Sequence, residues 1–117
     1  MYAIATRRRS QPPPSWVVWE ALMKPNRDPQ RQWLTLRRGE VAPRVMESTR
    51  PGLVVWSSIW AAHPDDLIRF DIESTGQGTG LRWTLLAPQE APPDVVVPRR
   101  KRLNELINAQ LRFSFGQ

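Results

Sequence analysis

The chain has 117 residues and no cysteine; residues 1–117 read as one domain, and disulfides, zinc–thiolate sites and thiol nucleophiles are excluded. Apolar residues make up 40% and charged residues 24%, ordinary globular proportions that argue against a disordered chain. Seventeen Lys and Arg against 11 Asp and Glu give a net charge of +6, and 15 of those 17 are arginine, clustered at 7–9, 37–38 and 99–102; a phosphate-binding surface and a plain arginine-rich composition are both open, the scatter favouring the second.

No apolar run approaches the ~20 residues of a membrane span. "MYAIATRRRS" places its basic residues after a short apolar stretch, the reverse of a signal peptide, so a cytoplasmic protein is the expectation. Residues 2–9 alternate Tyr2, Ile4, Thr6 against Ala3, Ala5, Arg7 and predict a strand. On that strand Arg7 and Arg9 share one face, and Arg8 falls on the side of Tyr2 and Ile4. The prolines at 12–14 stop it. From Ser15 the period becomes helical: Val18, Trp19 and Leu22 share a face, Pro14 or Ser15 can start the helix, and Pro25 limits it. Glu20 and Lys24 have the spacing of a helix ion pair. A second helical turn is expected over 28–33. Residues 33–36 and 40–47 are weaker strand candidates, and Pro43 demotes the second to an edge or a bulge.

Residues 52–61, "GLVVWSSIWA", are β-branched and aromatic and predict a strand, with "AAHPDD" as its turn. Residues 67–74 point Ile68, Phe70 and Ile72 one way and Arg69, Asp71 and Glu73 the other. "TGQGTG" makes a hairpin turn, and 81–87 again alternates, with Leu81, Trp83 and Leu85 on the buried side. Three strands joined by short turns imply an antiparallel meander with one dry face. A loop over 88–98 leads to a closing helix in which Leu103, Leu106, Ile107, Gln110 and Leu111 form one stripe, long enough to cover that face.

This order of elements resembles the SRPBCC superfamily, which includes START-like and polyketide cyclase/dehydrase-like proteins. The residues that carry the likeness are "PSWVVWEAL" after the first strand, Trp33-Leu34 followed by "RGE", "IRFDIESTGQGTGLRWTL" with its Gly-Thr turn, and "RRKRLNELINAQLRFSFGQ" at the end. The likeness covers nearly the whole chain and lies in the ordered set. It implies an α+β helix-grip fold: a curved antiparallel sheet packed around a long C-terminal helix, with one or two short helices after strand one. The chain is shorter than usual members, with five or six strands counted, so the cavity is expected to be small or closed by a second subunit. The resemblance further implies an apolar small-molecule ligand, such as a lipid or polyketide, held between sheet and C-terminal helix. Its ligand-binding residues would be Trp56, Trp60, Phe70, Trp83, Leu106, Ile107 and Gln110.

Each tryptophan also fits a plain core role, because aromatic rings bury much area. Gln110 interrupts the apolar stripe, so it orients a ligand or bonds to a neighbouring strand or Ser58. His63, the only histidine, lies in a turn set by Pro64, Asp65 and Asp66, and reads as turn rather than as acid or base. "GQGTG" joins two strands and opens no helix, so it is no phosphate loop. The basic run 99–102 near the start of the last helix opposes the helix dipole. It reads as a solvated turn paired with Asp94, Glu90 or other surface acids, or as a site for an anionic partner. "FSFGQ" extends the helix packing or makes a dimer contact. No cofactor and no metal is expected. The leading reading is a binding protein, not an enzyme. The alternatives are a cyclase or aromatase-type enzyme using Gln110 with Ser58 or Arg69, and a basic module for an anionic partner. Expected partners are the apolar small molecule and a homodimer; nucleic acid is disfavoured.

Overall fold

Alternation along the first residues does produce a strand, two residues longer than the pattern predicts: β1 runs Tyr2–Gln11 in the computed structural model, which describes residues 1–116. Helix α1, Ser15–Met23, follows the prolines and buries Val18 and Leu22 completely. Pro14 is its cap, the carbonyl accepting the N–H groups of Val17 and Val18 at 3.1 and 3.3 Å. Ser15 does not cap; its hydroxyl pairs with that of Ser74 at 2.8 Å. Glu20 turns from the expected Lys24 to Arg27 and Arg50, 3.8 and 3.7 Å away.

In loop 24–44, only one hydrogen-bonded turn forms of the helical turn expected at 28–33, the Arg31 N–H donating to the Asp28 carbonyl at 3.0 Å, and the strand expected at 33–36 is absent. The Asp28 carboxylate accepts the Gln30 N–H at 2.9 Å, a local side-chain bond that competes with continuing the turn as a helix. Asn26 decides the path of the loop. It sits in the left-handed region, at φ 63, which asparagine tolerates. Its Oδ1 accepts the N–H groups of Trp33 and Leu34 at 2.8 and 2.9 Å, and its Nδ2 donates to the Leu34 carbonyl at 2.8 Å. These bonds fold the loop back and deliver Trp33 and Leu34 into the core.

Of the strand expected over 40–47 only the end forms, as β2, Val45–Thr49, with Glu40 bridging to Trp60 alone. Then come β3, Leu53–Ser57, β4, Leu67–Thr75, and β5, Gly78–Ala87. The strand expected over 52–61 stops at Ser57 because the Ser58 hydroxyl takes the Trp60 N–H at 3.0 Å and makes a turn. The five strands are antiparallel in the order β1-β5-β4-β3-β2, so β1 and β2 are the edges. The β4–β5 hairpin needs glycine at 78: φ is 149°, and a Cβ there would lie 2.6 Å from the Gln11 carbonyl oxygen.

The face that receives the helices carries Trp56, Ile68, Phe70, Trp83 and Leu85, and the other carries Arg69 and Asp71, paired at 3.1 Å. On β1 the expected phase is inverted. The register shifts between Ala3 and Ala5, so one residue bulges out. Beyond it Arg7 and Arg9 stand opposite Trp83 and Leu81 on the inner side, while Thr6 and Arg8 stand opposite Thr84 and Arg82 on the outer side. Arg8 thus leaves the side of Ile4, lies across the space a Cβ on Gly80 would need, and reaches Glu73 at 4.0 Å.

The last helix begins inside the expected loop. α2 runs Pro93–Glu105, with Pro93 in the first turn, where its missing N–H removes no helix bond. A wider π-helical stretch, Leu106–Leu111, and a short turn α3, Arg112–Ser114, complete it. Leu103, Leu106, Ile107 and Leu111 are fully buried against the sheet, each contributing about 1.5–3 kcal/mol through burial. Gln117, the end of "FSFGQ", lies outside the described residues. The architecture is α+β, a five-stranded antiparallel sheet gripping a C-terminal helix.

Candidate functional site

Five of the seven residues singled out from sequence lie together and are sealed from solvent. Trp56, Phe70, Trp83, Leu106 and Ile107 are each 0% exposed and belong to one packed cluster. Trp56 meets Phe70 edge to face at 4.7 Å between ring centres, and Trp33 stacks on Trp56 at 6.0 Å. The indole N–H groups are satisfied: Trp56 donates to the Leu22 carbonyl at 2.8 Å, and Trp83 donates to Asn104 Oδ1 at 3.2 Å. These bonds fix the rings in place.

Gln110 stands apart, at the side of the helix that faces loop 24–44. It lines a cleft of about 340 Å³ with Gln32, Trp33, Thr35, Ala109 and Phe113. Its Oε1 accepts the Thr35 hydroxyl at 3.1 Å, and its Nε2 donates to Glu105 at 3.3 Å. Gln110 and Ser58 are not joined: the Ser58 hydroxyl is occupied within its own turn. Phe113, 76% exposed, stands at the cleft as an open apolar wall. The π-helical stretch that carries Ala109 and Gln110 is of a kind often found at functional sites. Of the cleft residues, sequence assigns a ligand role to Gln110 alone; its aromatic members Trp33 and Phe113 were missed as such, although "FSFGQ" reads as helix packing or a dimer contact.

Trp60, the seventh residue, lies past the end of β3 and half-buried, with the Arg99 guanidinium 5.8 Å over its ring. Around it the basic run 99–102 is resolved into two kinds of residue. Arg99 and Arg102 are each 5% exposed, whereas Arg100 and Lys101 face solvent. Arg99 pairs with Asp66. Arg102 holds Glu40 with two bonds, at 2.9 and 3.0 Å, and donates to the Thr35 carbonyl at 2.5 Å. The run is thus neither a solvated first turn nor a single patch. It ties loop 24–44 and the 61–66 turn to the helix.

The two buried acids respond differently. Burial pushes the Glu40 carboxyl up, but bonds from Arg102 and the Arg37 N–H, with the charges of both arginines, bring it below the ordinary carboxylate range. For Asp66 burial wins over Arg99 and His63, and its carboxyl is raised. Bonding to Glu40 raises Arg102 in turn. From sequence Asp66 reads as a turn residue and Glu40 carries no role, since nothing local marks an acid that will be buried. Among the described residues no group of three or more His, Asp or Glu is placed to hold a metal ion, and no helix is long and apolar enough to cross a membrane.

Comparison with solved structures places this geometry. CalU16 from Micromonospora echinospora superposes with a TM-score of 0.67 at 17% identity, over 88% of this chain and 68% of that one. The Aha1 dimer from Colwellia psychrerythraea gives 0.69 at 14% identity, over 92% and 91%. A protein from Rhodobacter sphaeroides gives 0.65 at 15% identity, over 95% and 91%. At such identities the likeness is one of fold, and the fold they share with this chain is the helix grip. No family model and no curated protein matches the sequence.

Proposed function

We propose that the chain is a small SRPBCC-type protein that binds an apolar small molecule beside its C-terminal helix. The observation that carries this is the cleft around Gln110. Trp33, Ala109 and Phe113 give it apolar walls, and the Gln110 amide is a polar group able to orient a ligand. Trp33 stacks directly on Trp56, so a ligand that displaces the Trp33 ring meets Trp56, Phe70, Leu106 and Ile107 next. Trp83 belongs to the same cluster and Trp60 packs against it, so both support that path from further out. Binding without chemistry is the better reading. Arg69 points to the other face of the sheet and Ser58 is spent on its turn, which leaves a cyclase-type mechanism without paired polar groups. A second copy lying over Phe113 would close the open side of the cleft.

Native mass spectrometry of the protein as purified reads both a retained ligand and the number of subunits. Titration with dodecanoate and with a naphthalene-type probe, followed by tryptophan fluorescence, should show saturable quenching that is lost in Trp33→Phe. Phe113→Ser should weaken binding about tenfold without moving the unfolding midpoint. A ligand-free protein whose fluorescence is indifferent to both probes overturns the proposal.

A further inference from the structure

The opposite flank of the terminal helix has a different character. Arg100, Asn104, Asn108 and Arg112 succeed one another along it. Asn108 Nδ2 donates to Asn104 Oδ1 at 3.2 Å, which puts both amides on one face. That face lies against β1: Arg112 donates to the Ser10 carbonyl, and Gln11 Nε2 reaches the Ile107 carbonyl and Asn108 Oδ1 at 3.5 Å. Asn104 also receives the indole N–H of Trp83, the residue opposite Arg7 in the sheet. Arg7 and Arg9, turned to the inner side by the bulge, therefore stand beside this row of the helix.

Arg7 and Arg9 on the strand and Arg100 and Arg112 on the helix thus border one strip of surface. Among the described residues none of these four has a carboxylate within 4.0 Å, although Arg8, one residue away and on the outer face, reaches Glu73. Beside this strip runs the outer edge of β1, which pairs with β5 on one side only and spans 10 residues, with the Ser10 carbonyl near its end held by Arg112. An unpaired edge offers a row of N–H and C=O groups to an extended segment.

We propose that this edge receives an acidic peptide in extended form, with carboxylates at alternate positions. Backbone pairing to β1 would give affinity, and the side-chain period of two would give selection. Alternate side chains of the added strand fall on the inner side, about 6.8 Å apart, the same interval as Arg7 and Arg9. Cross-strand charge complementarity then places two acids against the two strand arginines, with Arg100 and Arg112 closing over the far side. A strand edge without a neighbouring strand beside the cations favours a peptide over single-stranded nucleic acid, whose bases need aromatic stacking surfaces.

The test uses the full chain and three fluorescein-labelled probes read by anisotropy. One is a peptide alternating Glu with Thr, the second its isomer with all Glu in one block, and the third a single-stranded oligonucleotide of equal charge. The alternating peptide should bind at least about fivefold more tightly than the block isomer and weaken as salt is raised. R7E/R9E, at exposed positions, should lose about tenfold in affinity while its unfolding midpoint stays put. Amide hydrogen exchange should slow in residues 3–10 when the alternating peptide is bound. Equal binding of the two peptides, tightest binding of the oligonucleotide, or no added protection in β1 each overturns the proposal.

Discussion

Arg100 and Arg102 lie two residues apart on α2, yet one faces solvent and the other is 5% exposed in a lattice of four acceptors on Glu40, Glu105 and Thr35. The loop-facing flank of the helix uses its arginines as struts, each matched to a buried acid. Among the described residues the β1-facing flank gives Arg100 and Arg112 no carboxylate within 4.0 Å. The same residue type thus does opposite work according to what the neighbouring backbone supplies. Loop 24–44 brings Glu40 to one side, and β1 brings Arg7, Arg9, Gln11 and the Ser10 carbonyl, but no acid, to the other.

Breaking the strut side should cost most. Arg102→Met leaves Glu40 buried without its partner and the Thr35 carbonyl without its donor, and should destabilise the fold by about 3–5 kcal/mol in urea denaturation. A loss below about 1 kcal/mol would put this pair in the class of surface bridges and remove the distinction between the flanks.

A smaller effect separates the two struts from each other through pH. The Glu40 carboxyl is lowered on folding, so its contribution is present above the ordinary carboxylate range and is lost as pH falls through the folded value. The Asp66 carboxyl is raised, so its contribution is greatest below that range and declines as pH rises through the folded value. In thermal unfolding followed across the acid range, Glu40→Gln should flatten the loss of stability on acidification. Asp66→Asn should remove the opposing decline with rising pH. The same slope in both variants would mean the two acids do not differ. The smallest effect belongs to the other flank: Arg100→Ser should shift stability by no more than about 0.5 kcal/mol, a near-silence that marks this arginine as free for a partner.

Where a pattern is local, it was legible. β4 and β5 follow their alternation to within a few residues, and the stripe of Leu103, Leu106, Ile107 and Leu111 packs where its spacing points. The phase of β1 was not legible, because a bulge near Ile4 is one unpaired residue with no signature of its own. The fate of "RRKR" was not legible either. Its buried acids lie 33 residues away for Arg99 and 62 for Arg102, and only the fold brings them near. Gln110 was visible as a polar break in an apolar stripe. The cleft it lines depends on Asn26, whose three bonds turn a loop that composition alone would leave shapeless.

The π-helical stretch makes the last helix sensitive to length in a way its sequence does not advertise. An α-helix advances about 100° per residue, so a wide turn that holds one more residue sets the angular position of everything after it. Deleting one residue within Leu106–Leu111 would swing 112–116 around the axis by roughly that angle. Arg112 would leave the Ser10 carbonyl on one flank and Phe113 would leave the cleft on the other, in a single step. Insertions and deletions should therefore be far less tolerated in this short stretch than in the turns between strands.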